Sequence, residues 1–178
     1  MRLEAKAGAR SRSSDMTRLR LPILSLLCAL GASGALTRTI ATAQTLPGHS
    51  MVSPTELKWT AVPSMPPGAT VAVLEGPMNE AAPFTARLRF PANYRIPAHT
   101  HPAIEHVSVL SGTLYMGVGN ALDASRGMAV PTGGFAVMQA RTPHYAYTAG
   151  EPVEIQLHGV GPWGITYLNP ADDPRNAK

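Results

Sequence analysis

Residues His99 to Gly112 read His-Thr-His-Pro-Ala-Ile-Glu-His-Val-Ser-Val-Leu-Ser-Gly, and this stretch restricts the fold more than any other. Residues i and i+2 of a β-strand share a face, so His99 and His101 can direct two imidazoles at one point while Thr100 faces away. Pro102 to Ile104 then bends the chain, and Glu105 can return a carboxylate to the same spot from the next strand. On that strand Val107 and Val109 lie on the carboxylate's side, with His106 and Ser108 opposite. Ser111-Gly112 reads as a hairpin turn into a further strand from Thr113 to Val118.

The rest of the chain from residue 44 onward has the same character. Phe84, Ala86, Leu88 and Phe90 alternate with Thr85, Arg87 and Arg89, which describes a strand with one buried and one wet face. Short β-favouring runs are expected at 57–62, 70–74, 94–101, 128–130, 135–139, 144–148, 153–159 and 163–168, parted by turns rich in Gly and Pro. The loop 119–127 is read as solvated. No window sustains a helical stripe, so the pattern predicts an all-β sandwich or barrel, a single domain over 52–170. A flexible connector at 44–51, containing His49, precedes it, and a polar tail at 171–178 follows.

Residues 1–43 read differently. Met16-Thr-Arg-Leu-Arg, an apolar run from Leu21 to Ala35 and Ala41-Thr42-Ala43 form the basic start, apolar middle and small-residue exit of a secretory signal peptide, with Met16 as the expected start. An uncleaved anchor is the alternative, but Pro22 and Gly31 interrupt a run already short for a bilayer. Export would place the mature chain in the periplasm or outside the cell, with no stable membrane anchor. The formal net charge of +4 belongs to this leader, because residues 44–178 carry eight Lys or Arg against nine Asp or Glu. A near-neutral domain offers no basic face for nucleic acid. The one cysteine, Cys28, also lies in the leader and lacks the small preceding residue of a lipid-modification site. Disulfides therefore cannot hold the mature domain, and any metal must be bound through nitrogen and oxygen.

His144, after the turn at Pro143 and at the head of a strand, is the best candidate to join His99, His101 and Glu105 as a fourth ligand. A sheet rolled into a barrel brings distant strands around one cavity. Three imidazoles and a carboxylate suit one divalent manganese, iron, nickel, copper or zinc ion and exclude an all-oxygen calcium cage. Four protein ligands leave up to two positions of an octahedral ion open.

These motifs resemble those of a small single-domain cupin. His99, His101, Glu105 and Gly112 match the first cupin motif in register, with Asn93 in place of its leading glycine. Gly133 and His144 match the second, while Gln139, Arg141 and Thr148 replace its proline, glycine and asparagine. The resemblance implies an antiparallel jelly-roll β-barrel with the metal inside on His99, His101, Glu105 and His144, and a homodimer. Dioxygenase, decarboxylase, isomerase and hydrolase chemistry all occur on that fold, which cannot choose among them.

Other polar residues are read from strand parity. His106 faces away from the metal as a surface or interface histidine. Gln156 and His158 lie opposite Val153, Ile155 and Leu157, and either lines the cavity or sits on an exposed face. Tyr115 is placed on the inward face, where its hydroxyl orients a substrate or meets a buried partner. Tyr145 and Tyr147 point away from the ion, and Trp163 is assigned to core or interface. Two functions remain: an exported metalloenzyme acting on a small oxygenated substrate, in which the catalytic residues are unassigned, or a non-catalytic, metal-dependent binding protein for a small molecule.

Overall fold

A computed structural model describes residues 48–177. The expectations for the leader, the start at Met16 and Cys28 lie outside the described residues. Within them the strands are β1 (Thr60–Ala61), β2 (Thr70–Glu75), β3 (Pro83–Phe90), β4 (Arg95–Thr100), β5 (Glu105–Ser111) and β6 (Thr113–Val118). They continue as β7 (Met128–Pro131), β8 (Phe135–Met138), β9 (His144–Thr148), β10 (Val153–Val160) and β11 (Thr166–Tyr167). Three single 3-10 turns, at Pro54–Glu56, Pro170–Asp172 and Pro174–Asn176, are the only helical elements among the described residues. The all-β reading is thus met, with two expected strands shortened: 57–62 to β1 and 163–168 to β11.

The strands form two antiparallel sheets, ordered β1-β2-β3-β10-β5-β8 and β11-β4-β9-β6-β7. Alternation decides which face of each is buried. Phe84, Leu88 and Phe90 of β3, Val107 and Val109 of β5, and Val153, Ile155 and Leu157 of β10 meet Ile96, Leu114, Met116 and Ala146 of the opposite sheet in one core. Burying each large apolar side chain contributes about 1.5–3 kcal/mol, so a register slip of one residue would forfeit a whole face. The outward residues of β3 and β10 pair instead: Arg89 Nε donates to Glu154 Oε2 at 2.9 Å, and Trp59 lies over the Arg89 guanidinium at 3.8 Å.

The Ser111-Gly112 turn is not the hairpin that the sequence predicts. β5 lies between β10 and β8, and β6 between β9 and β7, so at Gly112 the chain leaves one sheet for the other. A glycine after a β-run signals a turn in either geometry. The partner of each strand is decided by the need to face Val107 and Val109 against Leu114 and Met116 across the core. Gly112 itself has φ +74°, and a Cβ there would stand 2.5 Å from the Pro152 carbonyl oxygen.

Two of the departures from the cupin motifs prove to keep the backbone a glycine would supply. Asn93 (φ +58°) and Arg141 (φ +62°) both occupy the left-handed region. Thr148 fixes the first of these turns: its hydroxyl donates to Pro91 O at 2.7 Å and accepts from the Tyr94 amide at 2.9 Å. The loop 119–127, read as solvated, is anchored from below, because the hydroxyls of Tyr145 and Tyr147 donate to the carbonyls of Asp123 and Ala124 at 2.9 and 2.8 Å.

β4 and β9 pair with Ile96 opposite Ala146 and His99 opposite His144, so two residues of β4, Pro97 and Ala98, stand against one of β9, Tyr145. The extra residue falls at Pro97–Ala98, where a proline has no amide to leave unpaired. This bulge sets the direction of His99.

Gly112→Ala is expected to lower unfolding free energy by about 1–3 kcal/mol, since it meets both the left-handed backbone and the Pro152 carbonyl. Gly133, at φ +83° but with no atom within 4 Å of a Cβ, should lose only about 1 kcal/mol as Gly133→Ala. Urea unfolding curves of the two variants check this ordering.

Candidate metal centre

His99 sits in β4, His101 immediately follows that strand, and His144 opens the adjacent β9. One ring nitrogen from each lies within 4.8 Å of the others. Glu105 opens β5 and approaches from the opposite sheet, its Oε1 3.4 Å from His101 Nε2 and its Oε2 3.4 Å from His144 Nε2. All four side chains are buried. The structure therefore brings together every residue predicted as a metal ligand. His99 and His144 come from the five-stranded sheet, His101 from the residue just after β4 and the carboxylate from the other sheet, so the site closes only when the two sheets stack.

Each ring is oriented through its second nitrogen. Nδ1 of His99 donates to Pro97 O at 2.7 Å, that of His101 to Gly164 O at 2.6 Å, and that of His144 to Thr142 O at 2.9 Å. A carbonyl can only accept, so these contacts assign the proton of each neutral imidazole to Nδ1 and leave a lone pair on Nε2. The Nε2 atoms of His101 and His144 are buried and make no hydrogen bond. While neutral, both face the Glu105 carboxylate with lone pairs at 3.4 Å. Lone pairs aimed at a carboxylate repel it unless a cation lies between them, and a backbone-anchored imidazole facing a carboxylate is the arrangement metal sites use. The donor set fits a metal ion.

Electrostatics divides the four groups. Burial lowers the pKa of His99 to about 3, helped by the neighbouring His144 and His101. Burial also lowers His101 below its usual value. For Glu105 burial acts upward, but its contact with His144 and the charges of the surrounding imidazoles prevail and hold the carboxyl below the usual range. Burial acts downward on His144, and the Glu105 carboxylate overrides it, raising the pKa. At neutral pH, then, two imidazoles are free bases, the carboxylate is ionised, and a competing proton belongs to His144.

These groups line a cavity of about 30 Å³ whose other walls include Leu88, Phe90, Leu114, Met116 and Leu157. A water requires roughly 10–15 Å³ on this scale, so the space suits an ion with one or two small exogenous ligands. Trp163 covers one side of it, its ring stacked on His101 with centroids 4.7 Å apart and planes 20° from parallel.

The structure does not bring the other predicted liners to this cavity. Leu114 and Met116 are the inward residues of β6, so Tyr115 faces outward and stacks on Tyr147 at 4.9 Å. Ile155 and Leu157 are the inward residues of β10, which turns Gln156 and His158 to the outer face of the six-stranded sheet. There His158 stacks on its cross-strand partner His106 at 4.9 Å, so His106 faces away from the metal ligands as expected. Trp163, expected to head a strand over 163–168 and to lie in the core or an interface, does pack against the core, but it precedes β11 and also lines the cavity. Nothing in the sequence signalled its place beside the histidines.

Two stacked antiparallel sheets, with histidines from neighbouring strands and a facing glutamate gathered at one inner site, define a cupin domain. The solved structures that resemble it agree. The polyketide cyclase RemF from Streptomyces resistomycificus superposes with a TM-score of 0.59 at 19% identity, over 71% of this chain and 90% of that one. A proposed acetylacetone dioxygenase from Methylibium petroleiphilum gives 0.54 at 19% identity, over 75% and 90%. An RmlC-like cupin protein from Ralstonia eutropha gives 0.54 at 16% identity, over 70% and 74%. At such identities these likenesses establish the fold. The chain belongs to the ChrR cupin-like domain family, which matches residues 47–148. No curated protein is detectably similar in sequence.

Because His144 is the ligand with raised proton affinity, metal affinity is expected to fall about tenfold per pH unit below its pKa and to level off above it. Its raised pKa puts that decline above the ordinary histidine value, and Glu105→Gln, which removes the cause, moves it to lower pH. Competition titrations with a chelating dye across pH measure both.

Proposed function

We propose that this domain is a metal-dependent enzyme: His99, His101, His144 and Glu105 hold one divalent transition metal ion, and the open positions of that ion take a small oxygenated substrate. The observation that carries this reading is the pair of buried, unpartnered Nε2 atoms on either side of an ionised carboxylate. When bound, such an ion supplies Lewis-acid or redox chemistry. The chain's own residues do the rest. Backbone carbonyls hold the imidazoles in one tautomer, apolar side chains of both sheets exclude bulk water, and the cavity volume selects for small reactants. Glu105 is the one carboxylate lining the cavity, and it would act as a base only while released from the ion.

Dioxygenase-type chemistry is the first to test, with decarboxylase, isomerase and cyclase reactions next, on substrates of which a small oxygenated end enters the cavity. The neighbours named as a cyclase and a proposed acetylacetone dioxygenase support that order. The leader at 1–43 supports export of the domain at 44–178 to the periplasm or beyond, and the cupin family supports a homodimer.

Elemental analysis of the purified full chain is expected to find one transition metal ion per chain, and His101→Ala to lose it. Stripping the ion with a chelator should remove about 4 kcal/mol of stability if it is otherwise present at a thousandfold its Kd. Turnover measured over a panel of diketones, keto acids, phenols and sugars should fall more than about a hundredfold in His101→Ala, beyond what loss of a ligand's supporting partner does. A metal-loaded chain that binds members of the panel without converting any identifies a binding protein instead.

A further inference from the structure

We infer that Trp163 sets the ligand specificity of this centre: its indole N–H donates a hydrogen bond to an anionic oxygen of a compact ligand, a few non-hydrogen atoms in size, held at the histidine cluster. This rests on the reading of His99, His101, Glu105 and His144 as a metal centre and names the class of molecule that it takes.

Trp163 is polar in only one atom. Its Nε1 is buried and has no hydrogen-bond partner. An indole nitrogen can donate but not accept. A buried donor left unmet is destabilising, a penalty that an apolar side chain at this position would not carry. The ring nonetheless stands against the cavity, in stacking contact with His101. Of the side chains lining the cavity, the three histidines and Glu105 are committed to the ion and the others apart from Trp163 are apolar. Trp163 is therefore the one lining side chain outside the histidine–glutamate cluster that carries a polar atom, and that atom is buried and unpartnered.

The backbone holds the indole in place independently of that N–H. The Trp163 amide donates to Met78 O at 2.7 Å and the Gly161 amide to Ala82 O at 2.9 Å. A Cβ on Gly161 would lie 2.3 Å from Glu80 O, so the segment sits tight against 78–82. The next residue, Gly164, accepts the Nδ1 hydrogen of His101. One short segment thus orients a ligand imidazole through a carbonyl and covers its face with an indole, as a preorganised donor requires. The acceptor must be small, because the cavity is about 30 Å³. It must be rich in electron density, because it faces both an N–H and a cation.

The test uses the zinc-loaded full chain labelled with ¹⁵N at tryptophan. The sequence has two tryptophans, and Trp59→Phe, at the outer face over Arg89, assigns their indole resonances. Formate is the probe, with its affinity measured separately by calorimetry. The expected result is a saturable downfield shift of the Trp163 N–H on adding formate, with Trp59 unmoved. Trp163→Phe is expected to keep its zinc and to bind formate about ten- to a hundredfold more weakly, the range for a hydrogen bond to a charged group. An unmoved Trp163 resonance, unchanged formate affinity in Trp163→Phe, or no formate binding by the zinc-loaded chain overturns the inference and leaves the metal centre standing. A wild-type chain that takes up no zinc or other transition metal overturns both.

Discussion

The pairing of β4 with β9 is the constraint on which the site depends. It places His99 opposite His144, and the bulge at Pro97–Ala98 sets two residues of one strand against one of the other. The same bulge presents the Pro97 carbonyl to His99 Nδ1. Function here is thus prepared by a local defect in regular structure, tolerated because proline has no amide to lose.

Burial of the four polar side chains adds the second constraint. Imidazoles and a carboxylate removed from water are destabilising unless their polar atoms are met. Three of the six imidazole nitrogens are met by the carbonyls of Pro97, Thr142 and Gly164, residues outside any regular ladder or at its edge. The remaining nitrogens converge beside Glu105, where opposing effects of burial and neighbouring charge keep the carboxyl ionised and two imidazoles neutral. A domain of this kind is built around an electrostatic problem that a bound cation would solve. The apolar walls would make that solution stronger by keeping bulk water from screening it.

Much of this was legible along the chain, for reasons that differ by residue. His99 and His101 share a face because strands repeat every two residues, and Glu105 falls inward with Val107 and Val109 for the same reason. Asn93 and Arg141, which interrupt the cupin motifs as sequence, preserve them as backbone, since both adopt the left-handed conformation. Tyr115 was assigned to the wrong face: Leu114 and Met116 claim the core, and one position of parity separates a lining residue from a surface one. Gly112 was recognised as a turn but taken for a hairpin, because a glycine's backbone conformation does not specify which strands it joins. Trp163 packs against the core as its sequence context suggests, but its place over His101 follows from the docking of its backbone on 78–82.

What the sequence by itself determined is the set of local preferences: β-strands with alternating faces, turns at Gly and Pro, and a histidine pair with a carboxylate on a common side. These need only neighbours in the chain, through steric limits and the period of the strand. The tertiary structure alone decided which strands became partners, that Glu105 faces the histidines from the opposing sheet, and that Trp163 closes the cavity. Those outcomes depend on burying two apolar faces against each other at once, a condition that no short segment contains.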